Sequence, residues 1–510
     1  MISADTRMNH RTAKIGLEKV SIKTINKIPS AFGEGDILKA VLTLPGVKTV
    51  GEASGGFNVR GGSADQNLIL FNEGTIYNPS HMFGVFSAFN PDVIEGVELL
   101  KSSIPAEYGG RVSSVMDVKG RDGSFEKING SIGIGLMTSR FHLEGPLKKG
   151  RTSFILGGRT TYSDWMLKKI KSSNYKDGTA DFSDLNFGLA HKAGDNDLIQ
   201  LTGYWSRDKF SFSPDTTFHY NSANAALKWK HKGAGRTSFT FSTGFDLYGN
   251  MLDEVPHHSE FEAYNLSTEI DQAFARLKFE TEAGGHHLTY GTEVLGYGLQ
   301  GGHITPMDDR SAIIERSLDT EYALQPSLYL GDEWTLGDKF MVDYGARLSS
   351  FFTKEPSTFY AGPEFRLSGK YSVNGNLSFK AGFNSMRQYI HLISNTTAIS
   401  PMDTWKLCDA DILPVDGWQG AGGMYWTVFG GKMDLSVEAY RKNTWNSLDY
   451  KSGATLVMND RLADDLVRTR GKAYGVEFMA KKTVGKLSGW ASYTYSRTML
   501  KEMEDRGVNT

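Results

Sequence analysis

The chain of 510 residues has a single cysteine, Cys408, so it cannot close an intramolecular disulfide or build a cysteine-based metal cluster. That fits a reducing compartment, or a Gram-negative envelope protein made without bridges. It lacks excess charge of either sign: the formal net charge is -2, and no Lys/Arg-rich run points to nucleic acid. It also lacks any apolar run of ~18 residues, which excludes a transmembrane helix. The start, "MISADTRMNHRTAKIGLEKV", has no continuous apolar stretch of the secretory kind. The expectation is therefore a cytoplasmic chain or one missing its natural N-terminus. A membrane-spanning barrel is left open, because alternating strands keep mean hydropathy low, here -0.35.

Glycine and aromatics are abundant instead. There are 57 glycines, 29 phenylalanines and 22 tyrosines, a composition of many short strands and turns rather than of a helix-rich enzyme. Residues 1 to about 125 read as an α+β unit. "GDILKAVLTLPGV" offers a short helix from Gly35 to Leu44, with Ile37, Leu38, Val41 and Leu42 on one face and Pro45-Gly46 ending it. "NLILFNEGTIY" reads as a hairpin turning at Asn72-Glu73-Gly74. "NPDVIEGVELLKS" reads as a helical turn running into a strand.

From about Gly130 the hydrophobic period becomes two. "MDLSVEAY" sets Met433, Leu435, Val437 and Ala439 against Asp434, Ser436, Glu438 and Tyr440. "YGVEFMAK", "FMVDYGARL" and "TSFTFSTGF" alternate in the same way. Alternation alone also suits a soluble sandwich. The connections decide between them: tight turns such as "EAGGHH" and "FGGK" alternate with long polar stretches. Those stretches are "SFSPDTTFHYNSAN", "GGHITPMDDRSAIIERSLDTE" and "SNTTAISPMDTWKLCDADILPVDGWQG". Short turns on one side and long loops on the other are the pattern of an outer-membrane barrel, here of about sixteen strands. The tail "SRTMLKEMEDRGVNT" looks like the start of another loop, so the expectation is a barrel truncated at its C-terminus.

"LPGV" (Leu44 to Val47), "GGFNVRGGSADQNLILFNEGTIYNPSH" (Gly55 to His81) and "FNPDVIEGVELLKSSIPAEYGGRVSSVMDV" (Phe89 to Val118) resemble the plug domain of TonB-dependent outer-membrane receptors, in wording common among Bacteroidetes-type bacteria. "DTWKLCDADILP", "VEAYRKNTWNSLDY", "GKAYGVEF" and "GWASYTYSRT" are similar to the second half of the same family's barrel. The resemblance implies a mostly β protein, with an N-terminal α+β plug over residues 17–125 and an antiparallel transmembrane β-barrel over 126–510. About sixteen of ~22 strands would be present. Residues 1–16 form an N-terminal extension in which no TonB-contacting segment can be assigned. The implied partners are the inner-membrane TonB complex, outer-membrane lipids and a siderophore, cobalamin, glycan or peptide, with a surface lipoprotein left open and no nucleic acid.

A guanidinium inside a plugged lumen is costly unless it pairs with a carboxylate. Arg60 in "VRGG" and Arg111 in "YGGR" are such groups, and the lumen-facing Glu438 and Glu477 are the natural partners. The resemblance implies a plug-to-barrel lock of these four residues; the plainer alternative is a set of structural salt bridges. Tyr77, Asn78 and His81, in "YNPSHMFG", would lie at a plug apex and touch the solute, or simply form an Asn-Pro turn. His257-His258 and His286-His287 make poor chelates, because adjacent strand residues face opposite ways. "GSIGIGL" lacks the dinucleotide spacing. Asp308-Asp309 and Asp464-Asp465 read as solvated loop acids, and Cys408 as a lone loop residue with no His pattern nearby. No catalytic set, metal site or cofactor is expected. The resulting expectation is an energy-coupled uptake receptor in the outer membrane of a Gram-negative bacterium. The rivals are an ungated porin or adhesin, and an all-β carbohydrate-active enzyme.

Overall fold

A computed structural model of the chain describes residues 12–503 except 29–32, 50–54, 164, 166–168, 170–177, 214, 257–258, 395–402, 483 and 486–487. The front of the chain builds a five-stranded sheet in the order Leu17–Ser21, Ile94–Leu100, Ser114–Gly120, Asn67–Phe71, Gly74–Thr75. Asn67–Phe71 runs parallel to Ser114–Gly120, and the other neighbours are antiparallel. The hairpin forms where its turn residues place it: Asn72 and Glu73 take φ of 49° and 79°, the twist that joins two strands tightly. The helix forms over Ile37–Leu42, with the Asp36 carboxylate accepting from the Lys39 backbone N–H at 2.9 Å. A helix this short is unstable alone. It is held because Ile37 and Val41 are buried in one cluster with Phe57, Val59 and Phe89. That cluster also takes in Ile155 and Tyr204 from the rest of the chain, so the front domain is packed into its surroundings.

From Asn129 onward the described residues form a single antiparallel sheet of eighteen strands, from Asn129–Ile134 to Gly489–Glu502. The sequence suggested about sixteen. One of the added strands is the two-residue Arg316–Ser317, inside what reads as a polar loop. The "SFSPDTTFHYNSAN" loop is likewise mostly strand, because Asp197–Ser213 and Thr216–Lys232 run almost to meet each other. Polar residues that face inward in a barrel look like loop in the sequence.

The two faces of this sheet are inverted relative to a soluble protein. Along Glu321–Leu336, Leu324, Leu328 and Leu330 are 47, 61 and 55 % exposed, whereas Gln325 and Ser327 are 1 and 2 % exposed. Along Thr358–Ser372, Phe365 and Leu367 face outward while Glu364 and Arg366 are buried. A water-soluble sandwich buries its apolar face. An apolar exterior around a polar interior is the arrangement for lipid. The inward face surrounds the front domain.

One segment leaves the sheet. Leu377–Gln388 pairs directly with Val415–Val428, while Ile390–Ile393 and Thr404–Leu407 pair only with each other. This hairpin folds inward, burying Tyr389, Ile390, Trp405 and Leu407 in a cluster that Tyr77 of the front domain packs against.

Candidate functional site

Arg60 stands where the chain turns after Phe57–Val59, at φ 49°, with its backbone N–H donating to Gly46 O at 2.8 Å. Gly46 and Gly61 let this turn touch the wall. A Cβ on Gly46 would lie 2.0 Å from Glu477 Oε1, and one on Gly61 would lie 2.4 Å from Thr498 Oγ1. Glu438 and Glu477 are directly opposite each other on adjacent strands. Two carboxylates so placed repel, and the Arg60 guanidinium joins them. Its Nε donates to Glu477 Oε1 at 2.8 Å, and its Nη2 to Glu477 Oε2 at 2.9 Å and Glu438 Oε2 at 2.6 Å.

Further groups complete this cluster. Lys101 Nζ donates to Glu477 Oε2 at 2.8 Å and to Pro45 O at 2.9 Å, Ser102 Oγ accepts from Arg60 Nη1 at 2.6 Å, and Tyr425 Oη donates to Glu438 Oε1 at 2.6 Å. Burial works to lower the Arg60 pKa, but Glu477 and Glu438 overcome it and hold the guanidinium above its ordinary value. Removing one member would strand a buried charge. Lys101 was missed in the sequence, where "ELLKSS" reads as an ordinary strand end.

Arg111 does not join this group. It too is buried, but its Nη1 donates to Gly110 O at 2.8 Å and its guanidinium carbon lies 5.7 Å from the Trp405 ring centre. Arg60 thus reaches the wall, whereas Arg111 lies against the inward hairpin.

His81 belongs to a second buried cluster. Its Nδ1 is 2.7 Å from Asp208 Oδ2, its Nε2 is 3.4 Å from Asp184 Oδ2, and its ring stacks on Phe182 at 4.2 Å. Arg159 extends the network, donating to Asp184 Oδ2 through Nε at 2.8 Å and to Glu34 Oε1 through Nη1 at 2.8 Å. Burial would lower the His81 pKa, yet Asp208 and Asp184 raise it to about 9, so the imidazole is a cation at neutral pH. His81 therefore anchors the front domain to the wall and does not face the cavity beside it.

Tyr77 and Asn78 line that cavity, which measures about 100 Å³ between the front domain, the wall and the inward hairpin. Tyr77 Oη donates to Gln272 Oε1 at 2.9 Å, and its ring lies 5.1 Å from Trp405 and 6.5 Å from Tyr248. Asn78 Oδ1 accepts from Ser80 N at 3.2 Å and Ser80 Oγ at 3.3 Å, which is the turn role. Trp405, Tyr248 and Asp208, also in the lining, come from strands and loops far away in sequence.

His286 Nδ1 pairs with Asp332 and His287 Nδ1 with Glu282, so the two histidines point to different partners. His257-His258 lies outside the described residues. Asp308 pairs with Arg310, and Asp465 accepts from Thr455 N and Asn459 Nδ2. Cys408 does have a histidine neighbour, His391 Nε2 at 3.3 Å, which the sequence did not suggest because 17 residues separate them. Both are buried, where thiol and imidazole both favour the neutral form. Among the described residues there is no group of metal-ligating side chains.

Residues 18–114 match the family described as TonB-dependent Receptor Plug Domain, and residues 145–509 match TonB dependent receptor-like, beta-barrel. No curated protein matches the sequence. Among solved structures, the siderophore receptor PirA from Acinetobacter baumannii superposes with a TM-score of 0.65 at 16% identity, covering 99% of this chain and 82% of that one. The FrpB iron transporter from Neisseria meningitidis gives 0.72 at 12%, over 96% and 80%. The alcaligin receptor FauA from Bordetella pertussis gives 0.68 at 14%, over 98% and 82%. At these identities the likeness is one of fold.

Proposed function

The chain belongs to the TonB-dependent receptors, and from that premise we propose how its parts divide the work of solute uptake across a Gram-negative outer membrane. A solute is held in the cavity between Tyr77, Asn78 and the inward hairpin. The front domain acts as the plug, and Arg60, with Glu438, Glu477 and Lys101, is the latch that keeps it seated until a TonB complex pulls. The observation that carries this reading is the fully buried Arg60 guanidinium, forked between two barrel carboxylates. Such a cluster is strong while dry and weakens once water enters, since each charge can then be solvated separately. A pull that admits water would therefore release it cooperatively.

The motif wording at Gly55 to His81 and Phe89 to Val118 supports placement among receptors of the Bacteroidetes type. A neighbouring gene for a surface lipoprotein would support both that placement and a lipoprotein partner.

The test uses no solute. Wild-type protein in planar bilayers is expected to stay closed, and Arg60→Glu, which sets three carboxylates together, is expected to conduct. Cells carrying Arg60→Glu are expected to admit large antibiotics that wild-type cells exclude. A wild-type protein that conducts freely with its plug intact would instead identify an ungated porin. An Arg60→Glu variant as closed as wild type would remove the latch.

A further inference from the structure

Five arginines among the described residues are buried: Arg60, Arg111, Arg159, Arg347 and Arg366. Four of them meet a carboxylate: Arg60 meets Glu438 and Glu477, Arg159 meets Asp184 and Glu34, Arg347 meets Glu293, and Arg366 meets Glu364. Arg111 is the exception. It is 4 % exposed, and among the described residues no carboxylate lies within ion-pair distance. Its described contacts are one neutral hydrogen bond, to Gly110 O, and the Trp405 ring. A buried guanidinium carries five N–H donors, and leaving most of them without an acceptor is costly.

Arg111 lines the cavity described above, and so do three carboxylates, Asp65, Asp208 and Asp403. Among the described residues none of these lies within ion-pair distance of it, and each has partners of its own. The oxygens of Asp208 are taken by His81 Nδ1 and the Met82 backbone N–H. Those of Asp65 accept from Ser63 Oγ and Gln388 Nε2. Asp403 has its own partner. Burial pushes the Asp65 carboxyl up toward its neutral form, so Asp65 neutralises the nearby guanidinium less than a solvated acid would. Part of the remaining wall is aromatic: Trp405 stands edge-on to Tyr77 at 79°, and Tyr77 stacks with Tyr248 at 24°.

We propose that Arg111 is the anion-binding end of this cavity, and that the solute presents a carboxylate attached to a flat, unsaturated group. The carboxylate would take the fork of the guanidinium, and the flat group would lie against Tyr77, Tyr248 and Trp405. This deepens the receptor reading and rests on it. It also gives Arg111 a different task from Arg60: one cation is paired within the protein, and the other is kept for the solute.

The experiment uses the purified full chain in detergent and three probes of one shape: benzoate, benzamide and benzamidinium, followed by ligand-observed NMR. Wild type is expected to bind benzoate at least about tenfold more tightly than benzamide, and benzamidinium weakest. Arg111→Gln is expected to lose the preference for benzoate while binding benzamide as before. Arg111→Lys, which keeps the charge without the fork, is expected to keep part of it. Wild type alone settles the charge class, so a variant that fails to fold does not shelter the proposal. Equal binding of benzoate and benzamide, preference for benzamidinium, or no binding of any probe overturns it. So does an Arg111→Gln protein that still prefers benzoate. The receptor reading fails by a different result, solute entry that needs no TonB complex, so the two failures are distinguishable.

Discussion

Two parts of the boundary between plug and barrel use the same residue types and differ in their access to water. At the latch, the side chains of Arg60, Glu438 and Glu477 are 0, 5 and 2 % exposed, and their oxygens and N–H groups meet one another directly. Elsewhere a space of about 660 Å³ separates plug from wall, lined by Glu73, Glu98, Asp117, Lys119, Lys228 and Lys278 among others. There the Glu73 and Lys228 side chains are 32 and 20 % exposed although their charged atoms are 2.8 Å apart. Dry charges have no alternative partner and fix the plug in one seat; wet charges exchange the protein partner for water at little cost. The plug is thus held firmly along one side and loosely along another.

The largest effect expected from this contrast is at the latch. Arg60→Gln leaves Glu438 and Glu477 facing each other in the dry interior and is expected to destabilise plug seating by roughly 3–5 kcal/mol, as for other broken buried pairs. Arg60→Glu is expected to do more. Glu477→Gln, which leaves Arg60 on Glu438 but takes a carboxylate from Lys101, should fall below Arg60→Gln. Protease sensitivity of the plug in intact barrels would rank them. An Arg60→Gln plug no more sensitive than a Glu73→Gln plug would erase the distinction between the two sides.

How far the sequence foretold this arrangement depends on range. The Asn72-Glu73 turn, the Asp36-capped helix and the two-residue period are local, and each was legible because neighbours in sequence decide them. That Arg60 needs carboxylates followed from the cost of burying a guanidinium. Which arginine would meet them did not follow. "VRGG" and "YGGR" look alike, and only the fold brings residue 60, and not 111, against two glutamates more than 370 residues away. His81 looked like a solute contact for the same reason: its partners Asp184 and Asp208 are lumen-facing strand acids that the sequence does not set apart from other strand acids. Polar residues on the inward face of a strand read as loop, which makes the loops look longer in the sequence than they are in the fold.

The His81 cluster gives the next largest effect, and it carries a sign. The folded pKa of about 9 lies above the ordinary value of 6.5, so the plug binds a proton that the released plug gives up. Its contribution is complete below pH 6.5 and is lost as pH rises through 9, at most about 3 kcal/mol in all. The midpoint for thermal release of the plug is therefore expected to fall between pH 7 and pH 9.5 in wild type. In His81→Phe that slope should flatten, from a lower starting stability, because Asp184 and Asp208 then lose their cation. A slope unchanged in His81→Phe would mean that another group titrates there.

The smallest effect is expected at the wet side. Burial works to raise the Glu73 carboxyl, but Lys228, Arg276 and Lys278 hold it down to about 2. By itself that shift suggests a strong interaction, contributing stability above the ordinary value of 4.5 and losing it as pH falls through 2. The side chain is nevertheless about a third exposed, and solvent screens a pair of that kind. Glu73→Gln and Lys228→Gln are each expected to cost no more than about 1 kcal/mol at low salt, and less at 0.5 M salt, where the Debye length falls to about 4 Å and partly exposed charges are screened more strongly. The latch variants should change little with salt. A double-mutant cycle of Glu73 and Lys228, run at both salt concentrations, measures the coupling directly. A coupling that survived high salt would show that this side is as dry as the latch, and that the plug is gripped evenly all round.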